Sequence, residues 1–241
     1  MANWDPRSTA AAAAASAGTR ADVRDAGLRS YMLSVYNTMA SGVLLTGIVA
    51  LLFAQSGLAA QVLSTPLRWL IMLAPLGFVM VLSFGINRLS TTAAQGIYWA
   101  FTVVMGLSLS SIFLVYTGQS IATTFFATAA AFAGLSLYGY TTKRDLSALG
   151  TFLIMGVVGL LVAMVINMFV QSTALQMAIS FIGVLLFAGL TAYDTQKIKS
   201  MYFYVAGSDM VGKSVIMGAL TLYLDFINMF TFLLQFMGDR R

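Results

Sequence analysis

Histidine, cysteine and glutamate are absent from the 241 residues, and only 9% of the chain is charged. Without cysteine the chain has no disulfide and no thiolate. Without histidine it has no imidazole to ligate a metal or to act as a general base. Soluble domains usually carry about 25% charged residues. With 59% hydrophobic residues and a mean hydropathy of +0.87, the composition is typical of a membrane protein. The net charge of +5 is too small to indicate a nucleic-acid partner.

Seven apolar stretches are long enough to cross a bilayer as helices, because a hydrocarbon core of about 30 Å needs roughly 20 apolar residues. The predicted fold is therefore all-α, a polytopic membrane protein with its seven transmembrane helices in residues 29–238. Residues 1–28 are Ala-rich and are predicted to form a mobile N-terminal tail. Short connections indicate three antiparallel helical hairpins, of spans 1 and 2, 3 and 4, and 5 and 6, followed by a lone last helix. The stretches are about 30–54, 67–86, 95–117, 120–141, 147–169, 174–194 and 214–237.

The distribution of Lys and Arg predicts a cytoplasmic N-terminus, because loops on that side carry an excess of basic residues. With seven spans, this orientation places three basic residues outside: Arg68, Arg240 and Arg241. It places ten inside: Arg7, Arg20, Arg24, Arg29, Arg88, Lys143, Arg144, Lys197, Lys199 and Lys213. We therefore expect a multi-pass protein of the cell (inner) membrane. The terminal arginines run against the bias, and a last helix that dipped in and returned would place them inside.

One aspartate interrupts the last apolar stretch, "VIMGALTLYLDFINMFTFLLQFMG". Asp225 lies eleven residues after Ser214, which is about 16 Å into the hydrocarbon core. An ionised carboxylate at this depth costs roughly 3 kcal/mol on insertion scales, so it should face the bundle interior. There it either marks an ion or proton path or, when protonated, donates one interhelical hydrogen bond. Asn228 falls on the same helical face and is a candidate to orient the carboxyl group.

A second aspartate ends the sixth apolar stretch, in "GLTAYDTQKIK". Asp194 is either a solvated helix-end carboxylate paired with Lys197 or, if the helix continues beyond Tyr193, a partner for Asp225. Two adjacent carboxylates in a low dielectric cannot both ionise at little cost, so such a pair titrates as one unit. That is a route to a pH sensor without histidine. Arg88, in "SFGINRLS", is either an interface anchor or a cation that pairs with Asp194 in one conformation.

The two aspartate motifs resemble the Bax inhibitor-1 family, also called the transmembrane Bax inhibitor motif family. The matching stretches are "GLTAYDTQKIK" and "GALTLYLDFINMF", supported by the loop "TTKRDLS". The resemblance covers about residues 30–238, and the short tail and the "GDRR" end resemble bacterial members. It implies a seven-helix fold with a central last helix wrapped by three hairpins, and a role in the stress response.

The resemblance also implies a pH-sensitive calcium leak governed by Asp194 and Asp225, with Arg88 linked to the pair. Tyr193 and Asn228 stand beside the aspartates within the matching motifs and are the expected supporting residues. Calcium enters as the permeant ion, with Asp194 and Asp225 as its candidate ligands, and no cofactor is implied. The glutamate that some members carry in span 2 has no counterpart in this chain.

Three functions compete at this point. A passive conduit for calcium and protons is the leading one, because hard cations prefer oxygen ligands. A regulator that binds another membrane protein, such as a quality-control protease, is the second. An intramembrane aspartyl protease is the third, but the last span reads "LYLD" rather than Gly-x-Gly-Asp, and no Pro-Ala-Leu motif follows. The serines of "GLSLS" have no histidine to activate them. We therefore expect no catalytic residue and no enzyme.

Overall fold

A computed structural model describes the backbone of residues 6–241 and the side chains of residues 25–241. In this part of the chain all regular structure is helical, apart from one isolated bridge between Tyr116 and Arg240. The helices are α1 (Pro6–Gln55), α2 (Leu58–Leu63), α3 (Leu67–Gly85), α4 (Thr91–Leu109), α5 (Ser111–Val115), α6 (Gly118–Thr141), α7 (Ser147–Val170), α8 (Thr173–Val205) and α9 (Met210–Met237).

Seven of these segments are long and apolar enough to cross a membrane: α1 from Asp25 onward, α3, α4 with α5, α6, α7, α8 and α9. The prediction of an all-α, seven-span membrane protein is thereby confirmed. The tail predicted for residues 1–28 falls mostly on residues 1–24, which lie outside the described side chains, so its mobility stays a prediction.

Polar side chains mark where several spans begin. Ser90, Thr117 and Ser172 precede α4, α6 and α8, and the hydroxyl of each accepts a hydrogen bond from the backbone N–H three residues on. Such caps satisfy donors that a helix start leaves free. At the other end of α7, Gln171 adopts a left-handed conformation, with φ at 54°. The turn from α7 to α8 therefore needs only two residues, as the short connection predicted.

The last helix occupies the centre of the bundle. In an apolar 18-residue window of α9, 67% of the residues are buried, against 11–33% in the corresponding windows of the other six spans. Its main partners are α8, α1 and α6, with α4 contributing a smaller contact. By contrast α7 packs mainly on α8 and turns large apolar side chains outward, among them Phe152, Met155 and Phe169. An apolar exterior of this kind suits a lipid environment.

The spans do not all pack on their neighbours in the chain. The predicted hairpin of spans 5 and 6 is present as α7 and α8. However, α1 packs mainly on α4 and α9, α3 packs mainly on α4, and α6 packs mainly on α8 and α9. Short connections fix the order of the spans but not the faces that meet, because lipid gives apolar faces no preference for each other.

Small residues and hydroxyl groups account for these pairings. A Cβ at Gly106 of α4 would lie 2.8 Å from the carbonyl oxygen of Thr46 in α1, so only glycine allows this approach. The hydroxyl of Thr46 donates to the Thr102 carbonyl at 2.8 Å and contacts the Tyr223 hydroxyl at 2.6 Å. One polar side chain thus ties α1 to both α4 and the central α9.

Candidate functional site

The structure brings Asp194 and Asp225 together at the interface of α8 and α9. Asp225 lies near the middle of the 28-residue α9 and is only 4% exposed, and Asp194 is 9% exposed. Because α8 continues to Val205, Asp194 lies well inside its helix rather than at the end. The two carboxyl groups are close enough to interact with each other. A hydrogen bond between them requires one carboxyl group to carry a proton, since two carboxylates only accept.

Asp225 has spare acceptor capacity beyond this contact. Its Oδ2 atom is the one buried side-chain oxygen or nitrogen of the described residues that has no hydrogen-bond donor. Leaving such an atom buried costs about 1–3 kcal/mol. A carboxylate oxygen in this state is suited to receive a proton or a hard cation.

The cation beside this pair is Lys197 rather than Arg88. Lys197 lies three residues beyond Asp194 on α8, within reach of its charge, and its Nζ is 5.9 Å from the centre of the Tyr193 ring. Arg88 lies in the exposed turn after α3, where its backbone N–H donates to the Gly85 carbonyl. In this conformation Lys197, and not Arg88, is the cation that acts on Asp194, so a pairing of Arg88 with Asp194 in another conformation stays a prediction.

The two expected supporting residues serve other contacts. The amide nitrogen of Asn228 donates to the Leu224 carbonyl of its own helix at 2.8 Å, so that donor is not directed at Asp225. The ring of Tyr193 packs where a side chain at Gly150 of α7 would stand. Tyr193 is therefore a packing residue between α7 and α8. Neighbouring residues of a helix point in different directions, so Tyr193 points away from the direction of Asp194.

A cavity of about 210 Å³ reaches Asp194 from the end of the bundle that holds Lys197. Lys197 is exposed and Asp194 is buried, so the cavity leads from the surface to Asp194. Three hydroxyl-bearing residues also line it, Tyr31, Ser214 and Thr221, and the first two contact each other at 2.7 Å. Oxygen atoms of this kind suit the passage of a cation or a proton.

A chain of hydroxyl groups links α1, α6 and α8 at the residue that follows Asp194. The Tyr36 hydroxyl lies 2.7 Å from Ser136 Oγ, which lies 2.9 Å from Thr195 Oγ1, next to Asp194 in the sequence. Tyr36 and Ser136 also line an apolar groove of about 800 Å³ between α1 and α6. Sequence reasoning missed this chain. Its signal, isolated Ser and Thr in apolar helices, is weak because such hydroxyls often bond within their own helix.

The approach of α6 to α8 beside Asp194 depends on Gly139. A Cβ built at this glycine would overlap the carbonyl group of Ala192, a backbone group that has no rotamer to escape into. Gly139 therefore sets the distance between α6 and the part of α8 that carries Asp194.

The aspartate pair alone falls short of a tight calcium site. Calcium usually takes 6–8 oxygen ligands. Among the described residues, no group of three or more Asp side chains comes together to hold a metal ion. The site therefore offers two carboxyl groups and nearby hydroxyl oxygens, which suits brief occupancy better than storage.

Comparison with known proteins agrees with the fold and the motifs. The protein family described as inhibitor of apoptosis-promoting Bax1 matches residues 28–241. The inner membrane protein YbhL of Escherichia coli K12 is 47% identical over 220 residues, which cover 90% of this chain and 94% of YbhL. The uncharacterized protein RP147 of Rickettsia prowazekii is 48% identical over 219 residues, 90% of this chain and 92% of RP147.

A protein of Caulobacter vibrioides is 46% identical over 237 residues, 92% of this chain and 94% of its own length. The family match covers all seven spans and includes both aspartates. This chain is therefore a multi-pass membrane protein that belongs to the Bax inhibitor-1 family.

Proposed function

We propose that this protein is a pH-sensitive calcium leak channel, with the Asp194–Asp225 pair as its gate. The observation that carries the proposal is an interacting pair of buried carboxyl groups on the central helix and its neighbour. Ionisable groups in the interior of a membrane-spanning bundle typically mark ion or proton paths.

The gate follows from the chemistry of the shared proton. With one proton, the pair is held together by a hydrogen bond, and α8 is fixed to α9. Without it, two adjacent anions repel each other strongly in a low dielectric. That repulsion separates the helices and leaves two carboxylates that a divalent cation neutralises. Protons and calcium therefore compete for the same oxygen atoms, and pH sets which of them occupies the site.

The path on one side of the gate is the cavity that joins exposed Lys197 to buried Asp194. A permeant ion must bind well enough to enter and weakly enough to leave. Two carboxylates meet that requirement better than a complete calcium cage does, which fits a leak rather than a calcium store.

Calcium entry into liposomes that contain only the purified protein and a calcium dye tests this function. We expect entry above that of protein-free liposomes, in the absence of any partner. Cleavage of a transmembrane-helix peptide by the same preparation would instead support an aspartyl protease. If neither entry nor cleavage occurs, the proposed channel function is contradicted.

A regulator of another membrane protein is the second candidate function. The observation that favours it is the apolar groove of about 800 Å³ between α1 and α6, which opens to the lipid side of the bundle. A groove of this kind can receive a transmembrane helix of a quality-control protease or of another partner. Partner-dependent calcium entry would support this second function.

The membrane and orientation form part of the proposal. We propose the inner membrane, as the name of the YbhL relative indicates, with a cytoplasmic N-terminus. Because the chain lacks cysteine, a single engineered cysteine reports its own side. An impermeant thiol reagent added outside intact cells should label Gln171→Cys, in the exposed turn between α7 and α8, and should spare Ser8→Cys. Labelling of position 8 alone would reverse the orientation.

A further inference from the structure

A second cavity, of about 350 Å³, lies beside the loop that joins α6 to α7. Three basic residues line it, Lys143, Arg144 and Lys197, against the single acid Asp145. The remaining lining residues are Ser147, Tyr193, Gln196 and Ser200. None of the loop residues has a role in the proposed gate, so this basic pocket needs its own explanation.

The pocket is held in shape by one side chain of α8. Gln196 Oε1 accepts a hydrogen bond from the Leu146 N–H at 2.9 Å, and its Nε2 donates to the Arg144 carbonyl at 2.8 Å. This pair of hydrogen bonds clamps the loop against α8. The basic side chains of Lys143 and Arg144 therefore extend from a fixed backbone, while Lys197 is presented by the same helix as the clamp.

The acid in the pocket is already engaged. Asp145 Oδ1 accepts a hydrogen bond from the Ser147 N–H at 2.9 Å. Hydrogen bonds from Ser147 lower the pKa of Asp145, so this carboxyl group stays ionised and directed at the start of α7. The pocket therefore has three basic side chains and one carboxylate, which already accepts a hydrogen bond. Its excess of positive charge is available to an anionic ligand.

The place of the pocket indicates where that ligand comes from. The loop lies at the ends of the apolar spans Gly118–Thr141 and Ser147–Val170, which is the level of lipid headgroups. Just beyond it, α7 exposes apolar side chains, with Leu149 at 43% and Phe152 at 69% exposed. A ligand with an anionic head and apolar chains meets both surfaces at once.

We propose that this pocket binds the phosphate group of an anionic phospholipid. Lys and Arg are the usual donors to phosphate oxygens, and basic pockets between transmembrane helices bind anionic headgroups. Free inorganic phosphate shares the headgroup chemistry but lacks the acyl chains that would lie along α7. This site shares Lys197 with the cavity that reaches Asp194, but its test does not depend on ion flux.

Native mass spectrometry of the purified full chain, titrated in detergent with phosphatidylglycerol or with phosphatidylcholine, tests the proposal. We expect bound phosphatidylglycerol in excess over phosphatidylcholine. Lys143→Gln with Arg144→Gln should weaken phosphatidylglycerol binding about twenty-five-fold, since each basic residue contributes roughly fivefold. The matched control, Arg88→Gln with Lys213→Gln, removes the same charge outside the pocket and should retain binding.

A second variant keeps the test independent of the loop charges. Gln196→Leu removes the clamp and leaves every cation in place, and it should also weaken binding of phosphatidylglycerol. Equal binding of both lipids, or equal losses in the pocket and control variants, would overturn the proposal. Displacement of phosphatidylglycerol by inorganic phosphate at the same concentration would also overturn it, because the acyl chains would then contribute nothing.

Discussion

Replacing Asp225 with asparagine is expected to reduce calcium entry into liposomes at least about tenfold. A change of about 1.4 kcal/mol in the interaction with the cation corresponds to a tenfold change in occupancy. Removing a buried carboxylate should weaken the interaction with the cation by more than that value, because charges interact strongly at a buried position. Asparagine keeps the shape of the side chain, so the effect reports the lost charge rather than a cavity.

The same substitution should remove the dependence of calcium entry on pH. In the wild-type protein we expect entry to fall as the pH is lowered across the measured range, because protons then occupy the oxygen atoms that calcium needs. Asparagine does not titrate, so the variant should give a flat profile over this range.

Asp209→Asn is the matched control for this prediction. Asp209 is exposed, immediately precedes α9 and carries the same functional group as Asp225. Its substitution should leave both the rate and the pH profile of calcium entry unchanged. A similar loss in both variants would mean that general surface charge, rather than the buried pair, controls entry.

Gly139→Ala is expected to lower the melting temperature of the protein in detergent by roughly 5 °C. The added methyl group would overlap the Ala192 carbonyl and force α6 away from α8. Overpacking of this kind costs about 1–3 kcal/mol, and each kcal/mol shifts the melting temperature of a chain of this size by about 2–4 °C.

Gly134→Ala provides the control on the same helix. A Cβ at Gly134 meets no heavy atom within 4 Å. Its melting temperature should stay the same or rise slightly, because alanine favours a helix by up to about 1 kcal/mol over glycine. If both variants melt alike, the close approach of α6 to α8 does not limit stability.

Much of the fold was predictable because the bilayer imposes its thickness on the chain. The seven spans required only length and composition, and the central position of α9 came with the family resemblance. Beyond the hairpin of α7 and α8, which helices pack on each other was not predictable. That outcome depends on particular contacts, such as Thr46 with Thr102 and Gly139 with Ala192, and no periodicity in the sequence pairs these residues.

The candidate site was predictable in its acids and less so in its surroundings. Asp225 stood out because a charge in an apolar span is costly, and Asp194 followed from its motif. The hydrogen bonds of the expected supporting residues could not be predicted, because a one-turn spacing places a residue on a face without deciding its hydrogen bonds. Asn228 bonds its own helix, and Lys197 takes the position beside Asp194 that was expected for Arg88.

The most direct test of the central claim measures calcium entry into liposomes across a pH series for four proteins. These are the wild type, Asp194→Asn, Asp225→Asn and the double variant. If the two carboxyl groups share one proton and form one gate, their effects are coupled, and the double variant should match the more affected single variant. The account is contradicted if both single variants keep the wild-type pH profile, or if their losses multiply in the double variant.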